Sequence, residues 1–424
     1  MRVHSTVAIA FLLASCSAPP PDEPPADLPV TVEPTLADTH TVDGVLEMRH
    51  GSDALARAQR WVLSAKPDLI IDGGDKADFD LTHVTRPMRF ANGRVLATYR
   101  VGPARLMLFN ADGAPWRIVA RSGEGPGDVM APTDPVRWDD DTAMVHDFAN
   151  HRVNWITADG KVARDAPLAT TVSSGCFRAE GRLADGRFLA IGNCIEEVAS
   201  DSVIRLRTQV IAVNYDYSAV DTLAVVPGWE MAPFETRYRG VRRGSVVPLR
   251  FGRSTSVAPW GAGVAVASAL GGYTIERRAL DGTVTARLVV ETPRRAVTEA
   301  MRQAMIARGL EAMEGSGAER MVDSEESRRM QREMPFADSL PPYQHVWAGD
   351  DGLLWVVDAQ ALADTTWAAT AFRVDGAIMA RIVSRRFGMP VSFTRGSVMV
   401  REVDDDDVVR FAVYRWSAAS GTQP

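Results

Sequence analysis

Tight turns punctuate this chain so often that only short antiparallel strands fit between them. From Pro87 to Asp128, the breaks Asn92-Gly93, Val101-Gly102-Pro103 and Asp112-Gly113 leave four short strand-like segments. Asn-Gly and Asp-Gly favour two-residue hairpins because these residues tolerate positive φ. Four strands joined by three turns make one up-and-down antiparallel sheet. A Gly/Pro-rich exit at 123–127 then hands the chain onward.

What decides the fold is how often this unit recurs. Six innermost turns, each followed by a short apolar strand, stand at Asn92-Gly93, Asp139–Asp141, Asp185-Gly186, Gly261–Gly263, Asp350–Gly352 and Thr394–Gly396. Outer turns recur at Asp112-Gly113, Asp159-Gly160, Asp281-Gly282 and Asp375-Gly376, with Asp216-Tyr217-Ser218 as a degenerate member. The sixth sheet begins near Pro390, and the chain ends before its fourth strand. A spare strand, Asp68–Asp72, lies ahead of the first sheet. Pairing it with the last sheet closes a ring and covers open edges. The expected fold is all-β, a six-bladed β-propeller closed by an N-terminal strand.

The second unit, Ala143 to Gly160, resembles an NHL-type propeller repeat, with Asp147, Asn150, Arg152 and Asp159-Gly160 at the family's positions. With the exit Arg121–Asp128, the chain resembles the six-bladed propeller lipoproteins of Gram-negative bacteria over roughly residues 61–418. The resemblance implies a fold more than an activity, since such families are functionally diverse.

The N-terminus has the form of an export signal. Arg2 and His4 precede the apolar run Val7–Leu13 and small residues. Leu13-Ala14-Ser15-Cys16 resembles a bacterial lipobox, which implies cleavage before Cys16 and lipidation of its thiol. Ser17 at the next position is what outer-membrane lipoproteins of that kind show. Residues 17–37 hold seven prolines, a composition that stays extended and solvated. The expected layout is a signal peptide over 1–15, a tether over 16–60, the propeller over 61–418 and a tail over 419–424. No apolar run after residue 16 approaches a bilayer span. The chain is therefore expected in the cell envelope, anchored by lipid, facing the periplasm or the exterior.

Composition narrows the partners. The 424 residues carry a net charge of −7 with acids and bases interspersed, so no basic stripe invites nucleic acid. Cys176 and Cys194 flank the turn at Asp185-Gly186. A three-residue loop there sets them opposite each other, so a cross-strand disulfide is expected in an exported protein, with two buried free thiols as the alternative.

Two insertions interrupt the period of about 45 residues. One spans Val226–Arg250, with Trp229, Tyr238 and five arginines. The other spans Thr292–Pro342 between blades four and five. There Thr292-Pro293 reads as a helix start. Val297, Met301, Met305 and Met313 space helically with Gly309 interrupting, and a second helical piece runs near Met321–Met334. Both insertions join an outer strand to the next inner one. They share a face with the turns between second and third strands, the face on which a ligand is expected.

The candidate residues on that face are Arg121, Glu124, Asp128, Arg237, Tyr238, Arg239, Tyr343 and His345. Gly123-x-Gly125-x-Gly127 is no phosphate loop, because no helix pattern follows it. His146 and His151 flank a turn and read as structural rather than as metal ligands. Asp404–Asp407 lacks the alternation of a calcium loop, so a calcium ion is a minor alternative to no cofactor. Gly-x-Ser-x-Gly, His-Glu-x-x-His and Cys-x-x-Cys do not occur. The expectation is a binding or scaffold module for a protein, peptide or glycan, with no catalytic residue assigned. The alternative is a lactonase- or lyase-like propeller enzyme acting on a sugar-derived substrate.

Overall fold

The computed structural model describes residues 33–72, 81–100, 102–169, 177–192, 202–238, 241–269, 271–315, 324–361, 366–386, 388–403 and 408–419. Cys16, Cys176, Cys194, Arg239, Asp404–Asp407 and the signal peptide lie outside them, as does the side chain of Tyr238.

Hydrogen bonding joins the strands into five sheets of four to nine strands, within which six blades of four antiparallel strands can be followed in chain order. Blade one is Met88–Arg89, Val95–Tyr99, Arg105–Phe109 and Pro115–Ala120. Blade two is Val136–Arg137, Thr142–Asp147, Arg152–Thr157 and Val162–Pro167. Blade three is Phe177–Arg182, Phe188–Gly192, Ile204–Val213 and Val220–Tyr238. Blade four is Ser256–Trp260, Gly263–Ala267, Tyr273–Arg278 and Val284–Val290. Blade five is Tyr343–Ala348, Leu354–Asp358, Trp367–Phe372 and Ile378–Ser384. Blade six is Met389–Thr394, Ser397–Val403 and Val409–Ala418. Its fourth strand is Leu69–Ile71, paired through Phe411↔Ile71 and Val413↔Leu69. All six inner turns and five outer turns fall where the repeats place them.

The core is six wedges, each between two successive blades. Neighbouring side chains of one strand point to opposite faces. Val95 and Ala97 therefore enter the wedge with blade six, while Leu96 enters the wedge with blade two. This is why the second strands are continuously apolar rather than alternating. The closing wedge joins Leu69 and Ile71 of the donated strand to Phe109 of blade one and Phe411 of blade six. The Asp112-Gly113 turn packs directly on that strand. Gly113 has φ +91°, and a Cβ there would fall on the carbonyl oxygen of Ile70. The chain is thus a closed β-propeller.

Three expectations about the surroundings need correction. The tether expected over 16–60 is structured well before residue 60. Asp38–Val42 and Val45–His50 form a hairpin, and its second strand runs parallel to the outer strand of blade four. Arg60–Leu63 lies between the outer strand of blade five and the third strand of blade six, joining both into one sheet. The prolines stop at Pro34 and resume only at Pro67, so backbone donors become available to cover blade edges. Burial of Met48 and stacking of Trp61 on Trp416, 5.7 Å between ring centroids, hold this segment down.

The insertion near 226–250 is a long β-arm, Val220–Tyr238 paired with Val241–Pro248. In the second insertion, the helices are Glu299–Gly315 and Ser324–Glu333. Thr298, not Thr292, caps the first, its hydroxyl accepting from the Met301 N–H at 3.3 Å. Gly309 does not interrupt that helix but gives it close approach to Gln331 of the second. Val297 and Leu340 pack with Ala359 and Ala361 of blade five, so the insertion is seated on the ring.

Candidate functional site

The loop 121–128 is a structural clasp. Buried Asp147 accepts hydrogen bonds from the Met130 and Ala131 N–H groups at 2.9 and 2.8 Å, and from the Asn150 amide at 2.9 Å. Asn150 also donates to the Gly123 carbonyl, and Arg152 to those of Glu124 and Gly125, all within 2.9 Å. Asp128 folds under the loop, so that a Cβ on Gly123 or Gly125 would lie 2.6 or 2.8 Å from its carboxylate. These are the residues that carry the NHL-type resemblance, and they use their polar groups on backbone. Arg121 and the Glu124 side chain remain exposed.

The other expected residues scatter. Arg237 sits on the β-arm, its backbone N–H donating to Glu326 at 2.7 Å. Tyr343 is not on a surface at all. It is 2% exposed, accepts from the Ala269 N–H at 2.7 Å and donates to the Thr274 carbonyl at 2.9 Å. Standing first in the innermost strand of blade five, it is drawn into the wedge between blades four and five. His146 is buried against Tyr217 and donates through Nε2 to the Tyr215 carbonyl at 3.0 Å. Burial depresses its pKa to about 4, and it acts as a structural residue.

His345 leads to the centre of the ring. Its Nε2 lies 2.9 Å from Arg86 and its Nδ1 lies 3.1 Å from Ser256 Oγ. A guanidinium can only donate, so Nε2 accepts and the proton sits on Nδ1. Ser256 Oγ accepts that proton and also the Val346 N–H at 3.1 Å. Burial, then the charges of Arg86 and Arg178, push the His345 pKa well down and keep the ring neutral. Arg86 also pairs with Glu180 at 2.5 Å and lies 4.5 Å over the Trp347 ring. Glu180 takes Arg178 on its other oxygen at 2.7 Å. Three blades and the segment leading into blade one therefore meet in one polar plug across the axis.

Beside this plug lies a chamber of about 510 Å³, lined by the first strands of all six blades. Trp138, Gly261, Asp350 and Thr394 bound it, so it opens at the end of the axis carrying the turns between first and second strands. This is the end opposite the loops on which a ligand was expected. Its charged lining is four arginines, Arg86, Arg89, Arg137 and Arg182, against Asp134, Glu180 and Asp350. Glu180 is held as described, and Asp134 by Arg100 at 2.7 Å and the Thr85 hydroxyl at 2.8 Å. Arg137 donates to the Arg89 carbonyl, and Arg182 to the Trp138 carbonyl while covering its indole. Neither these two nor Arg89 forms a direct ion pair among the described residues, Asp68 acting on Arg89 only at longer range, and Arg89 Nε has no hydrogen-bond partner there.

The sequence carried a signal for this arrangement. Arg89, Arg137 and Arg182 each stand four positions before the turn residues 93, 141 and 186. Three consecutive blades thus place an arginine at the equivalent position of the first strand, and all three line the chamber. Trp138, Trp347 and Phe393 supply the aromatic walls. Among the described residues, no three His, Cys, Asp or Glu side chains converge as a metal site.

No protein-family model matches the chain, and no curated protein does. Among solved structures it is similar to a candidate exported protein of Bacteroides fragilis (12% identity, 88% of this chain and 99% of that one, TM-score 0.43). A DUF4221 family member from Bacteroides vulgatus is similar at 10% identity (86% and 100%, TM-score 0.43). A gluconolactonase from Xanthomonas campestris is similar at 12% identity (85% and 98%, TM-score 0.37). Likeness at this distance assigns neither ligand nor activity to the chain.

Proposed function

We propose that this protein is a lipid-anchored propeller of the cell envelope that binds an acidic segment of a peptide or glycan at the turn-side mouth of its channel. The observation that carries the reading is the crescent of Arg89, Arg137 and Arg182 in the chamber. An acidic chain of net charge −7 there presents guanidinium groups without carboxylate partners, beside tryptophan. Arginine is suited to carboxylate and phosphate recognition because its planar donors match both geometrically. A chamber of this size takes a terminal group or a few residues of a polymer. The N-terminal signal and Cys16 supply the anchor, and the prolines up to Pro34 the spacer.

The test is an array of acidic and neutral peptides and oligosaccharides probed with the purified protein at low and high salt. Retention of acidic members, weakened by salt, supports the reading. Equal retention of neutral members contradicts it.

A further inference from the structure

A second cavity, of about 440 Å³, lies on the opposite face, beneath the helix Glu299–Gly315 and against blades five and six. Its size falls within the range of small-ligand sites, roughly 300–1,000 Å³. Where the channel lining carries four arginines and three carboxylates, the described lining of this cavity carries two arginines, Arg308 and Arg401, and no carboxylate. Phe251, Met305, Leu340, Met389 and Val403 make it apolar, and two of the five are methionines, whose flexible thioethers adapt to unbranched chains. Into this lining projects Arg401, from the second strand of blade six. Its guanidinium donates to the Thr82 carbonyl at 3.3 Å and has no carboxylate partner among the described residues. Burial, then the neighbouring Arg308, depress its pKa. An apolar cleft with a half-buried cation on its wall fits an amphiphile of opposite sign.

We propose that this cavity binds a medium-chain acyl carboxylate, the chain lying against Met305, Met389 and Phe251 and the carboxylate pairing with Arg401. The site is independent of the channel and shares no residue with it.

The test is methionine-methyl NMR of the intact protein titrated with sodium decanoate below its micellar concentration, with 1-decanol as the neutral control. Saturable shifts confined to Met305 and Met389, with decanoate bound about tenfold or more tighter than decanol, are expected. Arg401→Gln should remove that preference while leaving decanol binding unchanged, and Met389→Trp should block both ligands. Arg137→Gln/Arg182→Gln should leave decanoate binding intact. Non-saturating shifts spread over other methionines, or equal affinity of wild type for acid and alcohol, would overturn the proposal without recourse to any variant.

Discussion

The clasp at 121–152 and the arginine crescent in the channel are built from the same kinds of residue, and they differ in what those residues touch. In the clasp, Asp147, Asn150 and Arg152 bond to one another and to loop backbone, leaving little for a ligand. In the channel, Arg137 and Arg182 donate to carbonyls, Arg182 also covers the Trp138 ring, and Arg89 Nε has no hydrogen-bond partner among the described residues. A polar cluster that satisfies itself holds the fold together. A charged cluster that does not is available for binding. The contrast is what favours the channel, as proposed above, over the glycine-rich loop as the place of binding.

The contrast can be broken most severely at Asp147. Asp147→Ala would strand several buried N–H donors, each worth about 1–3 kcal/mol. A loss of about 3 kcal/mol or more is expected in urea unfolding, with the surviving folded protein still binding at the channel. A loss below about 1 kcal/mol would remove the clasp from the account.

His146 gives a pH signature of similar size. Its folded pKa, about 4, lies below the unfolded value of about 6.5. Below pH 6.5 the unfolded chain takes up the proton first, so this contribution is full above that value and is lost as pH falls. Stability should drop by about 3 kcal/mol between pH 7 and 4 on this account, in addition to other groups. His146→Phe should flatten that part of the profile, and an unchanged slope would show that His146 protonates in place.

The plug sharpens the comparison further. Glu180→Gln leaves Arg86 and Arg178 without their shared carboxylate, which should cost about 3 kcal/mol. It should also tighten retention of acidic ligands. Lower stability with weaker acidic binding would mean that Glu180 contacts the ligand directly or holds the crescent in place. The smallest effect belongs to Arg121→Gln/Glu124→Gln, exposed on the clasp, expected within about 0.5 kcal/mol of wild type.

Much of the ring was legible because its signals are local. Each Asp-Gly or Asn-Gly turn states a backbone demand at one place, and counting six against five exposed the strand donated by Leu69–Ile71. Segments whose order depends on distant partners were not. The stretch 38–63 reads as an appendage until its pairing with blades four, five and six is seen. The register argued for the cysteine pair holds at Gly181↔Leu189 and Arg182↔Phe188, then shifts by one at a bulge before Ala179↔Ala190. A bulge leaves no mark in composition. The channel arginines sat in short first strands and looked like ordinary polar alternation. Only their common distance from the turns identifies them as one group.

The most direct test is calorimetric titration of the tightest acidic ligand from the array into wild type, Arg137→Gln/Arg182→Gln and Arg121→Gln/Glu124→Gln. The account predicts about tenfold or greater weakening in the channel variant and wild-type affinity in the loop variant. The reverse pattern, with loss at Arg121 and Glu124 and none in the channel, would contradict it.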